Sequence, residues 1–146
     1  MTEFAPELQR PWTLQELRLT RCDQVLIRVF SDVNHKFPAA VGRHGSDIVS
    51  YPQISTVQCQ AEFSFTDCVL IRVWDEFAIS TIETSPQDSF DGTTFRRFSK
   101  SALLSAHSAM PASVYHYELV CDSIIDIVCT KPPDIILRPC STTTKA

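Results

Sequence analysis

The sequence predicts an all-β domain, a sandwich or barrel built from short strands. Three observations lead there. Residues 57–65 alternate strictly: Val57, Cys59, Ala61, Phe63 and Phe65 are apolar, while Gln58, Gln60, Glu62 and Ser64 are polar. A period of two buries one face of a strand and wets the other. Residues 24–30 (QVLIRVF) and 68–74 (CVLIRVW) are strand-length runs rich in β-branched and aromatic side chains. Polar breaks separate these and further such runs at intervals that suit a sandwich or barrel.

The 146 residues suffice for one domain with a real core. With 44% hydrophobic and 21% charged residues, the composition is that of a folded protein. A net charge of -4 argues against a nucleic-acid partner, which needs clustered Lys and Arg; it leaves room for a local basic pocket that takes one phosphate. No apolar run approaches the roughly 20 residues of a membrane span. Residues 1–12 lack the basic-then-apolar layout of a secretory signal. The expected location is nuclear or cytoplasmic, with no membrane partner. Six cysteines, Cys22, Cys59, Cys68, Cys121, Cys129 and Cys140, are widely spaced with no CxxC. That pattern fits free thiols in a reducing compartment and gives no zinc spacing. His35, His44, His107 and His116 do not pair with them either, so no metal or cofactor is expected.

In chain order, residues 1–12 read as a loose leader, 13–140 as a single domain and 141–146 as a solvated tail. Residues 13–19 fit a short helix capped by Thr13, with Glu16 three residues on, or equally a first strand. Residues 24–30 are a strand. Residues 57–74 read as a hairpin turning at Thr66-Asp67, although that turn lacks glycine. A short strand fits 79–82. Residues 100–110 (KSALLSAHSAM) allow a turn or two of helix, or a surface loop. Strands fit 114–120, 123–129 and 135–137. Trp12 and Trp74 are expected to pack in the core or at its edge.

No GxSxG elbow, HExxH helix or phosphate-binding GxxxxGK[ST] loop is present. A Ser–His–Asp arrangement could assemble in space, but any chain with this many serines permits that. The expectation is therefore a binding protein and not an enzyme. The most informative stretch is 41–65, VGRHGSDIVSYPQISTVQCQAEFSF. A turn at Gly45-Ser46-Asp47, a short strand at Ile48-Val49 and a second turn at Tyr51-Pro52-Gln53 would bring Arg43 and Ser55 together at one end of a sandwich. A guanidinium fork, a hydroxyl and free backbone N–H groups suit a dianionic phosphate. Arg43 and Ser55 could equally be a turn residue and a strand-entry residue. His44 could help bind phosphate or be an exposed loop histidine. Arg96 and Arg97 could form a basic rim or solvated strand ends.

This stretch resembles the signature of forkhead-associated (FHA) domains: Gly42-Arg43, then Asp47-Ile48, then Ile54-Ser55, with Gln58 where the family has His. Residues 47–65 look particularly like a fungal subgroup. The resemblance implies a β-sandwich of about eleven strands with binding loops at one end. It also implies recognition of a phosphothreonine segment on a partner protein, in signalling or complex assembly. On that reading Arg43 and Ser55 hold the phosphate, Thr56 and His44 line the loop, and Gly42 and Gln58 support it. The family's third motif, Asn-Gly-Thr, is here Asp91-Gly92-Thr93, or falls near Ser80-Thr81 in another alignment; neither restores the Asn. The departures leave an alternative: a degenerate FHA-like sandwich making phosphorylation-independent protein–protein or homo-oligomer contact.

Overall fold

The computed structural model describes residues 5–21, 23–44, 47–75, 88–107 and 113–145; for 33–44, 47–57, 75 and 139–145 it describes the backbone alone. Nine strands form two antiparallel sheets among these residues. They are β1 (Thr13–Leu19), β2 (Val25–His44), β3 (Asp47–Phe65), β4 (Cys68–Asp75), β5 (Ser89–Asp91), β6 (Phe95–Lys100), β7 (Tyr115–Val120), β8 (Ser123–Cys129) and β9 (Asp134–Lys145). Sheet A runs β1-β2-β3-β9 and sheet B runs β4-β8-β7-β6-β5. The all-β sandwich expected from the alternation is what the chain forms. The strand expected over 79–82 lies outside the described residues.

The core is the sum of the period-two faces. Val25, Ile27 and Val29 on β2 face inward with Cys59, Ala61, Phe63 and Phe65 on β3. From sheet B, Phe95, Tyr117, Leu119, Ile125, Ile127 and Cys129 meet them. Aromatic rings join the layers: Phe63 lies 4.8 Å from Phe95, and Phe65 lies 5.8 Å from Tyr117. Tilted ring pairs at such spacings add about 0.5–1.5 kcal/mol each beyond the area they bury.

Several expectations are corrected. Residues 57–74 are not a hairpin, because β3 and β4 belong to different sheets. A two-residue hairpin favours primed turns rich in Gly or Asn, and Thr66-Asp67 does not supply one. Asp67 instead takes φ 52, and the Cys68 N–H donates to the Asp23 carbonyl at 2.9 Å, which turns the chain into sheet B. Of the two readings open for residues 13–19, the strand is the one that forms. The leader is not loose: Leu8 is wholly buried, Trp12 is nearly so, and the Trp12 indole donates to the Leu8 carbonyl at 2.7 Å. The tail is not free, since β9 pairs with β3 out to Lys145 opposite Ile54. Not all the cysteines are thiols: Cys68, Cys121 and Cys129 are outside any disulfide, but Cys59 is disulfide-bonded. Its ladder position faces residues 139–140 at a bulge between Gln58 and Gln60. Among the described residues no helix is long and apolar enough to cross a membrane.

Candidate functional site

Gly42, Arg43, His44, Ser55, Thr56 and Gln58 all sit on the β2–β3 hairpin. Gly42 pairs with Val49, Arg43 with Ile48 and His44 with Asp47 near its turn. Ser55 pairs with His35, and Thr56 with Asn34. The second turn expected at 51–53 is absent, because β3 runs unbroken through it from Asp47 to Phe65. Seven residues of β3 therefore separate the rungs of Arg43 and Ser55, about 23 Å at ~3.3 Å per residue. Gln58 stands further along, where its amide donates to Asp32 at 3.5 Å.

Asp91 and Gly92 lie elsewhere, in sheet B. Gly92 opens the β5–β6 connection at φ 96, and a Cβ there would meet the Phe95 carbonyl oxygen at 2.0 Å, so only glycine fits. The backbone N–H groups of Thr93, Thr94 and Phe95 converge on the side-chain carbonyl of Gln9, at 2.7, 2.9 and 3.1 Å. The Gln9 amide donates back to the Phe95 carbonyl at 2.9 Å. The leader thus fills the loop that carries Asp91-Gly92-Thr93.

A second constellation lies on the outer face of sheet B. Strand parity sends His116 and Glu118 to the face opposite Tyr117 and Leu119, and Asp126 to the face opposite Ile125 and Ile127. Asp126 is fully buried. One carboxylate oxygen accepts from the Arg72 guanidinium at 3.1 and 2.9 Å and from the Trp74 indole at 3.0 Å. The other lies 2.8 Å from His116 Nε2. His116 Nδ1 lies 2.7 Å from Ser101 Oγ, and Phe98 stacks on the imidazole at 4.1 Å. Ser101 also caps helix α1 (Ala102–Ala106), accepting from the Leu104 N–H at 3.2 Å.

Glu118 sits across the ladder from Asp126 and accepts from Arg96 at 3.0 Å. Burial, then a hydrogen bond to Asp126 and its charge, push the Glu118 carboxyl up to about 7, against the pull of Arg96. Burial would also raise Asp126, but hydrogen bonds from His116 and Glu118, with the charge of His116 and the Arg72 bond, outweigh it and bring Asp126 down to about 2. Of the two carboxyls, Glu118 is the one that keeps its proton to higher pH.

Ser101, His116 and Asp126 thus line up as in a hydrolase relay, with the two ring nitrogens interchanged. Ser101 is only 6% exposed, and its oxygen is engaged by both His116 and the helix N-terminus. What the chain of bonds does is fasten α1 onto sheet B. The signal for it was present in the sequence: a lone carboxylate inside SIIDIVC, and His and Glu at alternate positions in YHYELV. Arg96 is engaged by Glu118, the Thr93 carbonyl and the Phe90 ring, so it is not a free basic rim. Among the described residues no group of three His, Cys, Asp or Glu could hold a metal. No family model, curated protein or solved structure matches the chain.

Proposed function

We propose that the chain is a protein-contact module whose contacts are independent of phosphorylation, made by adding an extended partner segment to the β2–β3 ribbon. One observation carries this reading. β2 pairs with β1 only as far as Phe30, yet continues to His44; β9 leaves β3 at Ile54, yet β3 begins at Asp47. Among the described residues the outer part is therefore a two-stranded ribbon, and β2 extends about 46 Å past its last rung with β1. Two-stranded ribbons are marginal alone, and open edges accept further strands. Pro38 and Pro52 lie on the two strands of the ribbon, at the register shift between Phe37 and Ala40, and proline in an edge strand favours short partner segments over indefinite stacking. The phosphothreonine reading needs Arg43 and Ser55 on one anion, and their rungs lie far apart.

The test uses matched peptide libraries, phosphorylated on threonine and not, against the intact chain and a shortened one. Lys36 and Ile54 are ladder partners, so replacing 37–53 with Asn-Gly closes the hairpin at a natural rung. Equal retention of both libraries, lost on shortening, is the expected result. Retention that requires the phosphate would restore the phosphothreonine reading.

A nuclear or cytoplasmic location belongs to this proposal, although the Cys59 disulfide pulls against it, because reducing compartments keep thiols reduced. Thiol titration of the denatured native protein decides the matter: six thiols fit a reducing compartment, and four fit an oxidising one, the six of the sequence less one bonded pair.

A further inference from the structure

The edge strands of the sandwich differ in how they are protected from pairing with another chain. β1 has a bulge between Leu14 and Glu16 and carries Glu16 and Arg18. β9 carries Asp134, Arg138 and Pro139 and bulges opposite 58–60. β5 has three residues. Charge, proline, bulges and shortness are the usual barriers to edge-to-edge association. β4, which carries Arg72 and Asp75, offers the longest regular run of the four. Past an irregularity at Val69, its ladder with β8 is regular from Leu70 to Asp75. Residues 70–74 read Leu-Ile-Arg-Val-Trp, without proline, and their one charge, Arg72, is bound to Asp126. Val73 is 52% exposed. Among the described residues no strand pairs with the outer edge of β4.

We infer that β4 is a self-association edge, along which two copies of this chain pair antiparallel about a twofold axis through Val73. The strand is self-complementary in that register. Val73 meets its own copy, and Asp75 meets Ile71. Arg72 lies opposite the copy's Trp74 on one face, and Trp74 opposite the copy's Arg72. Within one chain the Arg72 guanidinium already stands 4.3 Å over the Trp74 ring; the axis repeats that attraction of cation for ring face between chains. No two like charges face each other. Sheet B becomes a continuous ten-stranded sheet through a closed, isologous contact, so association stops at the dimer. A single strand pair covers less than the ~1,200 Å² of a standard interface, which places the dimer in the weak, transient class.

Sedimentation velocity of the full chain at concentrations up to about 1 mM reads the equilibrium. The wild type shows concentration-dependent dimerisation. Val73→Lys sets two ammonium groups against each other and weakens the dimer at least about tenfold, with the thermal midpoint little changed. Leu19→Lys, at an exposed position on β1, leaves dimerisation intact. A wild type that stays monomeric, or a Val73→Lys chain that dimerises as well as wild type, overturns the assignment. Association that survives Val73→Lys but disappears when 37–53 is replaced would move the contact to the ribbon, sinking the β4 edge and leaving the proposed function standing. Loss of the dimer in Val73→Lys, with no peptide retained by the ribbon, would uphold β4 and sink the proposed function alone.

Discussion

The outer faces of the two sheets use the same side chains to opposite effect. On sheet A, a row of charges crosses the strands in the open. Arg28 bridges Glu16 at 3.0 Å and Glu62 at 3.2 Å, and Arg138 approaches Glu62 at 3.8 Å. The Arg28 side chain is 41% exposed and that of Arg138 62%. On sheet B, Arg72, Asp126, His116, Glu118 and Arg96 form a similar row, but the Asp126 side chain is 1% exposed. Water reaches every member of the first row, whereas in the second it is kept from Asp126 and His116, though the Arg72 side chain is 39% exposed. The same kind of ion pair therefore decorates one sheet and specifies the other.

The largest effect is expected at the buried end. Asp126→Ala leaves a guanidinium, an indole N–H and an imidazole without their shared acceptor. Breaking a buried pair from one side costs about 3–5 kcal/mol, which urea denaturation at fixed pH measures. A loss under about 1 kcal/mol would mean that water replaces the carboxylate and that the cluster is not dry. The same change releases Arg72 and Trp74, so it also weakens the β4 dimer. Ser101→Ala comes next. It removes the cap of α1 and one partner of His116, for about 1–2 kcal/mol. Ser101→Thr keeps the hydroxyl and recovers part of the loss.

This contrast also explains how much of the protein was legible in its sequence. Sheet A's inner face was, because Cys59, Ala61, Phe63 and Phe65 alternate with polar residues that meet water, and one face of each kind is the simplest pattern a strand can show. Sheet B's outer face was not. There Asp126 is buried behind Arg72 and Trp74, and His116 against Ser101 and Phe98, and a buried polar residue looks in sequence like an exposed one. The β3–β4 crossing was also hidden, because two adjacent strands with a short break read as a hairpin whichever sheets they join. The tip site depended on a turn at 51–53, and the local signal of Pro52 gave way to the long pairing of β2 with β3. Gln9 was invisible for another reason: its partners at Thr93, Thr94 and Phe95 are backbone groups some 85 positions away, and no residue type announces them.

A pH scan gives the next effect. Glu118, raised by burial and by Asp126 from 4.5 to about 7, holds its proton more tightly folded than unfolded. Its contribution is therefore full below about pH 4.5 and is lost as pH rises through 7. Asp126, lowered from 3.8 to about 2, works in the opposite sense: its contribution is full above about pH 4 and is lost as pH falls through 2. The two together put the most stable range for this cluster near pH 4–5. Glu118→Gln keeps a hydrogen-bonding side chain beside Asp126 without the ionisation. Its thermal midpoint should fall less than that of the wild type between pH 5 and pH 8. Parallel profiles for the two proteins would show that folding does not raise Glu118.

The smallest effect is expected on the open row of sheet A, and it tests the contrast from the other side. A double-mutant cycle with Arg28→Ala and Glu62→Ala isolates one pair from the packing of its side chains. Glu62 is only 17% exposed, so it is the one member of the row with something to lose. It accepts from Arg28 across the β2–β3 ladder, and Arg138 stands at the limit of contact. Exposed pairs of this kind couple by about 0.2–1 kcal/mol, and salt screens the coupling. The expected result is a coupling in that range that shrinks further in about 1 M salt. A coupling above about 2 kcal/mol, insensitive to salt, would make sheet A's charges as specifying as those around Asp126. The difference between the faces would then lie in what covers them and not in how their ion pairs work.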